Sequence, residues 1–107
     1  MGARLDPELS AQLERSAPDA VLELVVRLKP PAGKSRPQPD ETLRVSEEIV
    51  RQAEAASGSR AEAVNVMKNL GVFVVAAAKR TAERILNDDR VESALANTQP
   101  SSVVQKP

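Results

Sequence analysis

A chain of 107 residues with 15 basic and 15 acidic side chains, one aromatic, and neither histidine nor cysteine reads as one small domain with a balanced, solvated surface. The charge balance speaks against an electrostatic footprint for nucleic acid. The missing His and Cys exclude Ser-His and Cys-His nucleophile pairs, nitrogen or sulfur metal sites and any disulfide framework.

Leu5-Asp6-Pro7-Glu8-Leu9 opens a helix, with Asp6 as N-cap, Pro7 at the first helical position and Glu8 beside the positive end of the dipole. Leu9 and Leu13 share a face, the helix runs to about Arg15, and Ala17-Pro18-Asp19 breaks it. Ala20 to Leu28 is the clearest strand: Leu22, Leu24, Val26 and Leu28 point one way, Val21, Glu23, Val25 and Arg27 the other. One face is wholly apolar and the other mixed, which suits a sheet covered by helices on one side only.

Lys29 to Asp40 carries four prolines in twelve residues and reads as a connector with polyproline character, without PxxP spacing. Glu41 to Ala56 is helical, with Asp40 as its cap, Val45, Ile49, Ala53 and Ala56 on one face, Val50 beside them, and Ser57-Gly58-Ser59 as its end. Glu62 to Lys68 is a weaker strand, and Asn69-Leu70-Gly71 turns into the next one, Val72 to Ala77. Ala82, Ile85 and Leu86 then stand at helical spacing, Asn87-Asp88-Asp89 forms a turn, and Val91 to Ala96 is a last short strand.

The order is strand, helix, strand, strand, helix, strand after a helical lead-in. Two right-handed strand-helix-strand units joined by a hairpin give an α+β, ferredoxin-like βαββαβ sandwich: a four-stranded antiparallel sheet with two helices on one face. The expected divisions are a lead-in over residues 1–19, the domain over 20–97 and an extended tail over 98–107. No apolar run nears the roughly 18–20 residues of a membrane span and no signal-peptide pattern follows Met1, so the default location is cytoplasmic unless a leader has been trimmed.

Chemistry for an enzyme is thin. Glu47-Glu48, Glu83 and Asp88-Asp89 sit in helical or turn settings that solvated charge explains, against the alternative of an acid/base pair. Four glycines form no phosphate loop, and no cofactor is expected. RNA-binding modules of this fold stack bases on strand aromatics, and these strands offer Phe73 alone.

The stretch from Gly71 to Asn97 resembles the propeptide domains of subtilisin-like serine proteases and their free-standing relatives, small inhibitors of those proteases. The similarity lies in Phe73, Val75 and Ala77 on the strand, Ala82 and Ile85 on the helix, Asp88-Asp89-Arg90 in the turn, and Val91 and Ala94 leading to Asn97. Leu24-Val25-Val26-Arg27-Leu28-Lys29 is similar to the family's first strand, and the lead-in LDPELSAQLERSAPDA to the start of many bacterial members. Ala78 stands where a capping Ser or Thr is usual, Ala94 replaces a larger Val, and the turn Asn69-Leu70-Gly71-Val72 departs from the usual Asn-Gly.

The resemblance implies an inhibitor or folding helper acting in trans on a subtilisin-like protease, monomeric or weakly dimeric when free. The open sheet face, with Val21, Glu23, Val25, Arg27, Val72, Val74 and Ala76, would meet the protease. The tail, with Thr98, Gln99, Pro100, Ser101, Ser102, Val103 and Val104, would lie in its cleft. Two other classes stay open: a ferredoxin-like regulatory module that dimerises through its open face or an edge strand or binds a non-protease partner, and a small ligand-binding domain or enzyme.

Alanine supplies much of the apolar content and buries little area, so the isolated chain is expected to be marginally stable. A thermal melt checks this: the expectation is a low transition temperature, and a sharp transition at high temperature contradicts it.

Overall fold

The computed structural model describes residues 3–33 and 37–97. In chain order the elements are β1 (Arg4–Leu5), α1 (Pro7–Arg15), β2 (Val21–Leu28), α2 (Pro39–Ser57), β3 (Ala63–Met67), β4 (Val72–Ala78), α3 (Lys79–Leu86) and β5 (Val91–Ala96). The architecture is α+β, with three helices and one mixed five-stranded sheet in the order β1-β5-β2-β4-β3.

Strict alternation makes β2 the middle of this sheet. Leu22, Leu24, Val26 and Leu28 are all buried, while the residues between them are half-buried or exposed. Its two edges are both bonded, antiparallel to β4 and antiparallel to β5. β3 pairs antiparallel with β4 across a tight turn, where Gly71 takes a φ of 67° and its carbonyl accepts the Leu28 N–H at 3.0 Å.

The expected four-stranded antiparallel sheet is corrected here. Arg4 and Leu5 pair parallel with Ser93 and Ala94, adding a fifth strand at the β5 edge. Two residues are too few for alternation to register in a sequence. The lead-in is also integral to the core: Leu9 of α1 is fully buried in the same cluster as Leu24, Phe73 and Ile85. Asp6 caps α1 as read, accepting from the Leu9 and Glu8 N–H groups at 3.3 and 3.2 Å. The same carboxylate also accepts the Ala96 N–H at 3.1 Å, and the Asp6 N–H donates to the Ala94 carbonyl at 3.2 Å, so one residue stitches the first and last strands.

α2 begins at Pro39, before the expected start, and its N-cap is Gln38, without a side-chain bond; Asp40 lies inside the first turn, where its charge favours the dipole. Its buried stripe is Thr42, Ser46, Ile49, Val50 and Ala53, whereas Val45 is only half-buried and Ala56 is exposed. Two of these are small hydroxylated residues, and a stripe sought by hydropathy alone passes them over. Thr42 returns its hydroxyl to the Gln38 carbonyl at 3.1 Å. Gly58 ends the helix at φ 75°, its N–H donating to the Glu54 carbonyl at 2.9 Å.

α3 follows β4 without a gap, and Ala78 supplies no capping side chain. The bare N–H groups are satisfied from elsewhere: Lys79 N donates to the Ala20 carbonyl at 2.8 Å and Arg80 N to the Pro18 carbonyl at 3.2 Å. The buried Thr81 hydroxyl meets Ser57 Oγ at 2.8 Å and donates to the Ser59 carbonyl at 3.1 Å, locking the start of α3 to the end of α2.

Phe73 is fully buried at the centre of the cluster and is the chain's one aromatic. Phe73→Ala is expected to cost about 3–5 kcal/mol, a large share of the roughly 5–15 kcal/mol that such a domain has. Urea denaturation followed by circular dichroism checks this, with loss of the cooperative transition as the expected result.

Candidate functional site

All three helices bury their apolar side chains in one cluster with the Leu22, Leu24, Val26 and Leu28 face of β2. The opposite face contributes nothing to that cluster. It carries every described sheet residue predicted to bind a partner, and pairing sets them in rows. Across one row stand Leu95, Val25, Val74 and Asn65; across the next, Ser93, Arg27, Val72 and Met67; across a third, Glu23, Ala76 and Ala63. Val21 lies opposite Ala78 at the corner.

The surface is mixed in depth as well as chemistry. Val21 and Leu95 are 49% and 51% exposed, Val25, Val74, Ala76 and Glu23 are half-buried, and Arg27 is exposed. Val72 is buried, at 8% exposure, between its row neighbours Arg27 and Met67, and offers less contact than its position in the sequence implies. A low ridge of valines and a leucine flanked by one acidic and one basic residue suits a protein partner better than lipid.

Sequence reading missed Leu95, Ser93, Met67, Asn65 and Ala63. For β5 the cause is a bulge: Arg27 lies opposite Ser93 but Leu28 opposite Val91, so Glu92 is an extra residue. Val91 and Ala94 are therefore both buried although three apart, and Leu95 emerges on the open face beside Val25. Simple alternation cannot assign faces across such an insertion. The remaining three follow once β3 is paired to β4 in register.

On the helical side, Arg90 forms the densest polar cluster among the described residues. Its guanidinium meets both carboxylate oxygens of Asp88 at 2.9 Å, Glu48 Oε1 at 2.8 Å and Gln52 Oε1 at 3.0 Å. The turn before β5 is thereby tied to α2, which fixes where the last strand enters the sheet. These hydrogen bonds from Arg90 hold the Asp88 carboxyl below its ordinary pKa against the opposing effect of burial, and raise that of Arg90.

Thr98, Gln99, Pro100, Ser101, Ser102, Val103 and Val104 lie outside the described residues. No helix among the described residues is long and apolar enough to cross a membrane. Comparison with protein-family models, with curated proteins and with solved structures finds no match. The functional reading therefore rests on the residues and their geometry.

A lowered folded pKa at Asp88 adds stability above the ordinary carboxylate value of about 4, and that stability is lost as pH falls through the folded value. Asp88→Asn is expected to lower the urea midpoint at pH 7 and to flatten its decline as pH falls below about 4. Equal midpoints for both proteins at pH 7 would contradict the coupling.

Proposed function

We propose that this chain is a propeptide-like inhibitor, folding helper or both of a subtilisin-like serine protease, seating the bare face of its sheet on the protease and laying its C-terminal tail in the substrate cleft. The observation that carries the reading is one-sidedness: three helices share a single core, and the other sheet face is semi-apolar and uncovered by any described residue.

The topology supports it further. Strands β5-β2-β4-β3 are antiparallel throughout, with α2 and α3 as the two connecting helices. We read these four strands and two helices as the ferredoxin-like βαββαβ sandwich that the resemblance implies, with β1 and α1 added at the β5 edge. Asn97 donates its N–H to the Glu23 carbonyl at 2.9 Å, so the chain departs for residues 98–107 from the border of the open face.

Mechanistically, the sheet is the anchor and the tail is the effector. A rigid face bound to the protease raises the local concentration of the tail at the cleft, where an extended segment adds as a strand and Val103 or Val104 fills a side-chain pocket. Neither contact requires a catalytic residue in this chain.

Inhibition of a purified subtilisin-like protease by the full chain tests the reading. Removal of residues 98–107 is expected to abolish inhibition while leaving a folded domain. Leu95→Asp, at a half-exposed position, is expected to weaken it about tenfold or more by burying an unpaired charge in the interface. Inhibition unchanged by both alterations would overturn the proposal.

A further inference from the structure

The two borders of the sheet differ. One is closed by β1, whose two residues present almost no edge. The other is β3, which pairs only with β4, so one side of its backbone has no sheet neighbour. Exposed edges are ordinarily blunted by proline, by charge within the strand, by a bulge or by extreme brevity. Ala63–Met67 reads AVNVM, with neither proline nor charge, and its pairing to β4 runs in unbroken register.

Apolar surface gathers at this border. Of six large apolar side chains exposed among the described residues, Val64, Met67 and Leu70 belong to β3 or the turn after it, and Leu43 of α2 lines the same groove as Val64. A groove of about 750 Å³ runs between α2 and β3, floored by Val64 and Val66 and walled by Leu43, Val50, Glu47 and Arg51. It lies where the inward side chains of one more strand would sit.

The segment is complementary to itself. Laid antiparallel on a copy about Asn65, Val64 meets Val66, Ala63 meets Met67, and Glu62 meets Lys68 at both ends. Apolar residues then face apolar ones, and each terminal pair joins opposite charges. A second copy also brings its own α2, with Glu47 and Arg51 of opposite sign available to pair across the two-fold.

We infer that β3 is a homodimerisation edge: two copies join β3 to β3 antiparallel, centred on Asn65, into one continuous ten-stranded sheet. The two-fold axis stands perpendicular to the sheet, so both bare faces lie on the same side and stay uncovered. The inference rests on the edge and its charges, independently of any protease.

Sedimentation velocity of the full chain over a concentration series tests it. A monomer–dimer equilibrium is expected for the wild type. Lys68→Glu sets two like-charged pairs at the edge and is expected to raise the dimer dissociation constant about tenfold, while Glu62→Lys combined with Lys68→Glu restores it to within about threefold. Asn65→Lys, at an exposed position opposite its own copy, serves as a second variant and is expected to leave only monomer.

A wild type that stays monomeric up to about millimolar concentration overturns the inference. So does a dimer indifferent to the single reversal, one weakened equally by the single and double reversals, or one abolished by Leu95→Asp, which assigns association to the open face. Protease inhibition is read in its own assay, so a monomeric wild type overturns this inference and leaves the proposed function to its own test.

Discussion

Everything in this molecule depends on the two-sided demand placed on β2. The strand is bonded on both edges, and its alternation sends four large apolar side chains to one face. All three described helices bury their apolar side chains against that face. The other face is left mixed and open, and the sheet becomes a slab with one finished side. Fold and proposed function are joined at this point, because the residues that keep helices off the second face are the ones the proposed partner would touch.

The core is a small cluster of one phenylalanine, eleven leucine, isoleucine and valine side chains and four alanines. Polar connections join elements that distant parts of the sequence supply. Arg90 ties the last turn to α2 through Glu48 and Gln52, and Ser57 and Thr81 join α2 to α3. Pro18 and Ala20 give their carbonyls to the uncapped start of α3. Ser46 runs against this pattern: its hydroxyl is buried in α2 and has no hydrogen-bond partner among the described residues. A buried hydroxyl left without a partner costs the helix some stability at that position.

Much of the framework was legible because period and punctuation agree. β2 and β5 fall within a residue of their expected bounds, Asp6 caps α1, and Gly58 closes α2. What escaped did so for physical reasons. β1 is shorter than any period. The buried stripe of α2 runs through Thr42 and Ser46, which hydropathy counts as surface. The bulge at Glu92 reverses the parity of β5, so Leu95 could not be assigned to the open face without its partner Val25. The Arg90 cluster draws on residues 42 positions apart in the chain, a distance over which sequence spacing carries no signal. Of the open face, the part on β2 and β4 was readable and the part on β3 and β5 required pairing.

The Asp6 carboxylate spans 90 positions to reach the Ala96 N–H. A nascent chain halted before β5 has no partner strand for β1, and its sheet border is unclosed. The domain is therefore completed only when nearly all of it has been synthesised, and its slowest ordering step is expected to be the meeting of its two ends, the contact with the greatest loop to close.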